Sequence, residues 1–228
     1  MAKTPARIAS SGEIQAFLSK SKAVTTFAEK HPRLLFGVDA TASRQPTWDV
    51  ARRQQADMFT ATDKIASLSV QLCYYRGFQE FYASQWLRDT NALAAQMAQV
   101  RCEGGHTQIG RLLRHAQHVH KETPLRAVVF IGDALEEAPD GLCNLAGECG
   151  LLKLPLFMFQ EGGDPLARQT FQTMAKLSGG AWARFDQTSA SALAELLGAV
   201  ARYAAGGRRA LENNPGEGAR LLLKQLNP

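Results

Sequence analysis

The sequence predicts an α/β fold: a doubly wound, mostly parallel six-stranded sheet of Rossmann-like type, with one antiparallel edge strand and helices on both faces. Two apolar runs, Arg33 to Asp39 and Arg126 to Asp133, end in an acid and suit strands that are buried on both faces. Later apolar runs alternate with segments of helical spacing, which is typical of parallel sheets. Two extended segments flank the turn at Arg76-Gly77 and predict a β-hairpin at one edge of the sheet.

The other elements follow from hydrophobic periodicity and from breaks in it. Helical spacing predicts an entry helix over Gly12 to Phe27 and an amphipathic helix over Trp48 to Ile65. The remaining predicted elements are hairpin strands 69–75 and 78–83, helices 85–101, 109–121, 142–152, 165–177, 191–204 and 217–226, and strands 154–159 and 181–185. We therefore predict an N-terminal helical extension (1–30), an α/β domain (31–205) and a C-terminal tail with a short helix (206–228), which we expect to be an appendage.

The composition is that of an ordinary globular protein, with 228 residues of which 45% are hydrophobic and 21% charged. The apolar runs are too short to cross a bilayer and the N-terminus lacks a secretory signal, so we expect a cytoplasmic protein with no membrane partner. The formal charge of +5 is scattered, which gives no reason to expect nucleic acid as a partner. Four cysteines match neither a zinc site nor a disulfide framework and are expected to be buried free thiols.

Oxygen-bearing side chains lie where the predicted strands end. Asp39, Thr41 and Ser43 occupy alternate positions from the end of the first strand, and Asp133 ends the clearest strand. Thr107 follows a glycine pair just ahead of a helix. In doubly wound sheets, the residues that follow the strands line the ligand-binding crevice. These five side chains form an oxygen-only donor set of the kind that hard cations require.

This pattern resembles the metal-ion-dependent adhesion site of von Willebrand factor A domains. Asp-x-Thr-x-Ser, a later Thr after glycines and an Asp after an apolar strand match all five positions of that site. The glycine pair in Leu177-Ser178-Gly179-Gly180-Ala181-Trp182 is similar to the one before the last strand of the family, and the resemblance runs over residues 33–205. One departure is that Asp133 lies between Gly132 and Ala134, where the family usually has Thr and Gly.

The resemblance implies a bacterial cytoplasmic module that binds a partner protein through one divalent cation, and not an enzyme. It implies that Thr41, Ser43 and Thr107 reach the metal through their hydroxyls, whereas Asp39 and Asp133 act mainly through bound waters. Neutral direct ligands leave the cation, expected to be Mg²⁺ or another divalent ion such as Mn²⁺ or Ca²⁺, with an open position for an Asp or Glu of the partner. Bacterial relatives commonly work beside AAA+ ATPases, so an ATPase of that class is one expected partner.

Two other functions stay open at this point. In a metal-free structural scaffold, Asp39 and Asp133 would merely cap the following helices and the hydroxyls would be ordinary loop residues. Gly132-Asp133 with Glu137 resembles the last acidic motif of metal-dependent phosphohydrolases of haloacid-dehalogenase type. Those enzymes need a second acid two residues after the nucleophilic Asp, and here that position is Thr41.

Two clusters of titratable residues have simpler interpretations. His115, His118 and His120 lack the usual zinc spacing and a supporting acid, so a solvated or packed helix surface is favoured. Glu136-Glu137 are interpreted most simply as solvated charges, although they could also rim the metal site.

Overall fold

The computed structural model describes Gly12, Gln15 and residues 31–44, 68–185, 190–213 and 216–226. Gly12 and Gln15 are the described residues of the predicted entry helix, and the predicted helix over 48–65 lies outside the described residues. The later predicted elements, from the hairpin to the last helix, fall within the described ranges.

Six strands form one sheet. They are β1 (Arg33–Asp39), β2 (Ser69–Arg76), β3 (Glu80–Ala83), β4 (Leu125–Gly132), β5 (Leu156–Glu161) and β6 (Ala181–Phe185). Their spatial order is β3-β2-β1-β4-β5-β6, and only β3 runs antiparallel to its neighbour. The predicted sheet is confirmed in its strand number, its mostly parallel pairing and its antiparallel edge.

Helices cover both faces of the sheet, as predicted. They are α1 (Thr90–Gln99), α2 (Ile109–Glu122), α3 (Pro139–Leu151), α4 (Pro165–Ser178), α5 (Ala190–Glu212) and α6 (Glu217–Leu223). Helices α1, α5 and α6 pack with Phe36 and Val129 on one face, and α2, α3 and α4 pack with Leu35 and Phe130 on the other. Alternate residues of β1 and β4 thus enter opposite cores. Within the described ranges, no helix has both the length and the apolar character needed to cross a membrane.

Strand β1 lies in the middle of the sheet, where the strand order reverses. It pairs in parallel with β2 on one side and with β4 on the other. Its last residue, Asp39, lies beside Tyr75 of β2, and Val38 lies beside Ile131 of β4. The loops that follow β1 and β4 therefore leave the sheet next to each other, at the crevice where doubly wound sheets bind ligands.

The helix predicted over 85–101 begins later, at Thr90. Leu87 and Val70 exchange two backbone hydrogen bonds of 2.8 Å, which keep the chain extended before the helix. Asp89 then caps the helix, because its Oδ1 accepts the N–H of Asn91 at 2.9 Å. A pairing between distant residues therefore overrides the helical spacing of the first turn.

The C-terminal segment packs into the same core as the sheet. Helix α5 bends at Gly206-Gly207, and α6 follows after a short connection. Leu211, Leu222 and Leu226 are buried in the cluster that also holds Phe36 of β1. In the described residues this segment is part of the core rather than an appendage, while the three-part division of the chain stays a prediction.

The side chain of Gln225 covers part of the outer edge of β6. Its Oε1 accepts the N–H of Trp182 at 3.0 Å, and its Nε2 donates to the carbonyl oxygen of Trp182 at 2.8 Å. The amide thereby takes both backbone hydrogen bonds that a further strand would make at this residue.

We expect Leu222→Ala to lower the free energy of unfolding by about 2–5 kcal/mol, because its side chain is fully buried in the core. Urea denaturation followed by circular dichroism measures the change. Leu221→Ala is the matched control, since Leu221 is 41% exposed and its truncation should cost less than about 0.5 kcal/mol. Equal effects of the two substitutions would contradict the packing of α6 described above.

Candidate functional site

The loop after β1 brings three of the five predicted ligands together. Asp39 ends the strand, and its Oδ1 accepts the N–H of Thr41 at 2.8 Å, which turns the chain back towards the carboxylate. The hydroxyl oxygens of Thr41 and Ser43 lie 3.1 Å apart. Thr41 is buried and Ser43 is exposed, so this cluster runs from the sheet to the surface.

The Asp39 carboxyl is buried and incompletely satisfied. The residue is 0% exposed, and its Oδ2 has no hydrogen-bond partner among the described residues. Burial, assisted by the nearby charge of Asp133, raises the pKa of Asp39 to about 6, against the lowering effect of hydrogen bonds from Thr41 and the charge of Arg44. An unpartnered oxygen on a buried acid is a position that a cation would satisfy.

Asp133 follows β4 at the same edge of the sheet. It is half-buried, its Oδ1 accepts the N–H of Ala134 at 3.0 Å, and its charge acts on Asp39. The residue before it is Gly132, where a Cβ would lie 2.7 Å from the ring of Phe130 and 3.5 Å from the Cβ of Asp39. The ring of Phe130, two residues earlier on β4, therefore leaves no room for a side chain at position 132, while the contact with Asp39 is an ordinary one.

Thr107 is held against the loop that follows β4. Its N–H donates to Oε2 of Glu136 at 2.8 Å, and its hydroxyl accepts the backbone N–H of Glu136 at 3.0 Å. Earlier in the same loop, the N–H of Glu103 donates to the carbonyl oxygen of Ala40 at 3.0 Å. The loop that carries Thr107 is thus bonded to the segment after β1 and to the segment after β4, at the edge where the other four predicted ligands lie.

Glu137 is half-buried and bonded rather than a solvated charge, so that interpretation of the sequence is wrong for Glu137, whereas Glu136 is exposed. Glu137 accepts the N–H groups of Ile109 and Gly110, through Oε2 at 2.5 Å and Oε1 at 2.9 Å, at the N-terminus of α2. Burial raises the pKa of Glu137, and hydrogen bonds from these N–H groups and from the Thr107 hydroxyl oppose that rise. The two acids fix Thr107 and the start of α2 to the loop after β4.

Arg44 ties the loop after β1 to the end of β5. Its guanidinium donates to Oε2 of Glu161 from Nε at 3.0 Å and from Nη2 at 2.6 Å, and Nη1 donates to the carbonyl oxygen of Asp39 at 2.9 Å. Both side chains of the pair are buried. A buried ion pair is stable only while both partners are present. Since Arg44 directly follows Ser43, the pair sets the path of the loop that carries Thr41 and Ser43.

Tyr75 borders the site on the side of β2. It is fully buried, and its ring stacks on Phe130 with centroids 6.3 Å apart. Burial and the neighbouring Asp39 carboxylate raise the pKa of Tyr75 well above its ordinary value. Its hydroxyl interacts with the Asp39 carboxyl, which contributes to the raised pKa, but no hydrogen bond of regular geometry joins it to another described residue. Two incompletely satisfied polar atoms, Oδ2 of Asp39 and the hydroxyl of Tyr75, therefore lie near each other.

Sequence reasoning missed Tyr75, Arg44 and Glu161. Glu161 did have a signal, because β5 is a third apolar run that ends in an acid, but the predicted strand stopped two residues short of it. Arg44 directly follows the matched motif, which is a positional hint without an indication of burial. Tyr75 has no local signal, since its place depends on the pairing of β2 with β1.

The histidines and cysteines have other roles. Nε2 of His115 lies 3.0 Å from Oε1 of Gln71, and Nδ1 of His120 accepts the N–H of Leu125 at 3.1 Å. None of the four cysteines is joined in a disulfide, and Cys73 and Cys149 are buried as predicted, whereas Cys102 and Cys143 are only half-buried. Across the described residues, no three His, Cys, Asp or Glu side chains are grouped as a metal site. A metal at the carboxyl edge would therefore rely on hydroxyls as well as on carboxylates, and the predicted oxygen set meets that requirement.

The burial of Asp39 predicts a pH dependence of stability in the presence of a chelator. The folded protein holds the Asp39 proton more tightly than the unfolded chain, since the pKa is about 6 rather than 3.8. The stabilisation from this proton is complete below the unfolded pKa and is lost as the pH rises through the folded pKa, by up to about 3 kcal/mol. Asp39→Asn should remove this decline and be more stable than the parent at neutral pH. Urea denaturation between the unfolded pKa of 3.8 and neutral pH measures the free energy of unfolding of both proteins. An equal decline of this free energy with pH in the parent and in Asp39→Asn would contradict the prediction.

We expect Glu161→Ala to lower the free energy of unfolding by about 3–5 kcal/mol, because it leaves Arg44 buried without its counter-charge. Chemical denaturation at neutral pH measures the loss. Glu122→Ala is the control, since Glu122 pairs with His118 on the exposed surface and its removal should cost less than about 1 kcal/mol. A small effect of Glu161→Ala would show that the pair does not organise this edge.

Solved structures with a similar fold include von Willebrand factor A domains. A von Willebrand factor type A protein from Catenulispora acidiphila aligns with a TM-score of 0.62 and 16% identity, over 78% of this chain and 43% of its own. The von Willebrand factor domain of a type V pili tip protein from Porphyromonas gingivalis aligns with a TM-score of 0.60 and 8% identity, over 75% of this chain and 94% of its own. The VWA domain of SpRpn10 aligns with a TM-score of 0.59 and 12% identity, over 72% of this chain and 94% of its own.

These likenesses concern the fold, because all the identities are low. The sequence matches no protein-family profile and no curated protein. The chain spans less than half the length of the Catenulispora protein, and nearly all of the other two domains. The chain therefore has a von Willebrand factor A-like α/β fold, and the predicted fold class is confirmed.

Proposed function

We propose that this protein is an interaction module that binds an acidic side chain of a partner protein through a divalent cation, and that it is not an enzyme. The cation, Mg²⁺ or another divalent ion such as Mn²⁺ or Ca²⁺, would be held by Asp39, Thr41, Ser43, Thr107 and Asp133. The observation that carries the proposal is the unpartnered Oδ2 of buried Asp39, next to a loop in which the hydroxyls of Thr41 and Ser43 lie 3.1 Å apart.

The hydrogen bonds around Thr107 suit its hydroxyl to a cation. The oxygen accepts the N–H of Glu136 at 3.0 Å, and the hydroxyl hydrogen bond to Glu137 favours the ionised form of that acid. A hydroxyl oxygen has two lone pairs, so one stays available after these bonds are made. Thr107 would therefore serve as a neutral ligand without giving up its existing hydrogen bonds.

The balance of charge supports recruitment of an external acid. Asp39 and Asp133 supply the negative charge of the ligand set, while the charge of Arg44 is compensated by Glu161 at 2.6 Å. If the hydroxyls coordinate directly and the acids act mainly through waters, a divalent ion keeps much of its charge and an open position. An Asp or Glu of a partner protein would complete the octahedron. The approach would be from the side of Ser43, which is exposed.

The class of partner rests on the family resemblance. An AAA+ ATPase is the partner class we propose, together with a bacterial cytoplasmic setting and no membrane or nucleic-acid partner. The scattered charge of the chain supports a protein partner rather than nucleic acid. A phosphohydrolase is disfavoured because position 41 holds a Thr, which hydrogen-bonds to the carboxyl of Asp39 instead of supplying a second acid.

Titration with Mg²⁺ tests the proposed function. We expect the parent protein to gain about 2.7 kcal/mol of stability when free Mg²⁺ exceeds its dissociation constant by about 100-fold. Ser43→Ala removes a hydroxyl ligand at an exposed position and should weaken Mg²⁺ binding by at least about tenfold while the fold is kept. Calorimetry gives the affinities, and thermal unfolding with and without chelator gives the stabilisation.

Thr173→Ala is the matched control for Ser43→Ala. Thr173 is exposed on α4, and its hydroxyl donates to the carbonyl oxygen of Gln169 at 2.8 Å, away from the candidate site. This variant should bind Mg²⁺ as the parent does. A parent protein without metal-linked stabilisation would favour the metal-free scaffold. Mg²⁺-dependent hydrolysis of a phosphate ester that is lost in Asp39→Asn would favour the enzyme.

A further inference from the structure

The turn between β2 and β3 presents an aromatic side chain to solvent beside the candidate site. Phe78 in this turn is 76% exposed. Its ring meets the imidazole of His106 edge to face, with ring centroids 5.8 Å apart. His106 is also exposed and directly precedes Thr107, one of the proposed metal ligands. Phe78 and His106, which we call the rim pair, therefore lie at the rim of the candidate site.

The turn that carries Phe78 is held by the neighbouring loop. Gly77 adopts a positive φ of 57°, and a Cβ on Gly105 would overlap the carbonyl oxygen of Gly77, so the two backbones pack directly against each other. Arg76 makes ion pairs with Glu80 across the turn at 2.8 Å and with Glu103 in the loop at 3.4 Å. These contacts fix the position of the turn relative to the loop that contains Thr107.

Hydrogen bonds from the region of α2 fix the turn further. Nη1 of Arg111 donates to the carbonyl oxygen of Gln79 at 2.7 Å, and Nε2 of Gln108 donates to that of Glu80 at 3.3 Å. The residues next to Phe78 are therefore fixed while its side chain stays in solvent. Apart from its contact with His106, the ring of Phe78 is open to solvent, and an aromatic ring on a fixed turn loses little conformational entropy when it binds a partner.

A cationic side chain accompanies the rim pair. The guanidinium of Arg111 lies 5.1 Å from the ring centroid of Phe81, and the residue is exposed. Among the described residues Arg111 pairs with no acid, since its Nη1 donates to Gln79 and to Oε1 of Gln108. Glu80 and Glu103 in the same region pair with Arg76, so within the described ranges the charge of Arg111 is the one left to act on a ligand there. This charge, beside the exposed ring of Phe78, is complementary to a segment that is both apolar and acidic.

We propose that the rim pair binds a large apolar side chain that lies a few residues away from the partner's acid. The occupant is a peptide segment of a partner protein, with its carboxylate on the cation and an aromatic residue or leucine on Phe78. This proposal rests on the proposed function, because the cation holds the acid. Such an apolar anchor beside a charged contact is the usual composition of a binding hot spot.

Binding of defined peptides to the full chain in Mg²⁺ tests this proposal. The probes are end-blocked glycine-serine peptides with one Asp, either alone or with one Phe at successive positions on each side, and NMR titration of ¹⁵N-labelled protein gives the affinities. We expect the Phe in its best position to tighten binding by about tenfold, as burial of a large apolar side chain allows. In Phe78→Ala this gain should vanish, while Mg²⁺ and the Asp-only peptide bind as they do to the parent.

Leu151→Ala is the matched control, because Leu151 is 87% exposed at the last residue of α3, and this variant should keep the gain. A Phe that adds nothing at any position, or a gain that survives in Phe78→Ala, overturns this proposal and leaves the proposed function standing. An Asp-only peptide that does not bind in Mg²⁺ overturns the proposed function and this proposal with it. A dimer that dissociates in Phe78→Ala, seen by analytical ultracentrifugation, assigns the rim pair to a second copy of the chain and overturns the proposal.

Discussion

The candidate site depends on one constraint, which is that the carboxylate of Asp39 is buried in the middle of a mostly parallel sheet and must be stabilised there. The strand order puts the ends of β1 and β4 side by side, so this acid is surrounded by protein where an exposed acid would have water. In place of that water, the backbone N–H of Thr41 donates a hydrogen bond to the carboxylate, and the positive charge of Arg44 favours its ionised form. One carboxylate oxygen still lacks a partner among the described residues. A polar group left in this state is costly unless a ligand completes it.

The proposed ligands are held in place mainly by bonds between loops. Arg44 and Glu161 join the loop after β1 to the end of β5, and Glu136 joins Thr107 to the loop after β4. Glu137 adds the N-terminus of α2 to the same network. Because each loop is bonded to another, the proposed ligands are held in fixed relative positions although they come from separate parts of the chain. This is the kind of supporting shell that metal sites need for a fixed geometry.

Local pattern was enough to predict the sheet and the strand ends at which Asp39 and Asp133 lie, because the apolar runs before these two acids carry their own signal. The general rule for doubly wound sheets then placed those ends at one edge. The supporting residues could not be predicted in the same way. Glu137 has the sequence surroundings of a solvated loop acid, and only the approach of α2 supplies its partners. Tyr75 borders the site through strand register, a property of distant pairing that no local pattern contains.

The amide of Gln225 has a consequence for how this protein associates with others. An uncovered outer strand is a template on which identical chains can add and extend into fibres. By bonding to both backbone groups of Trp182, the side chain blocks that template on β6 with a group that cannot propagate a further strand. Growth of β-structure between copies is thereby opposed at one flank of the molecule. A domain that carries such a block can be crowded in the cell, or repeated in an assembly, with a lower risk of polymerising through this flank.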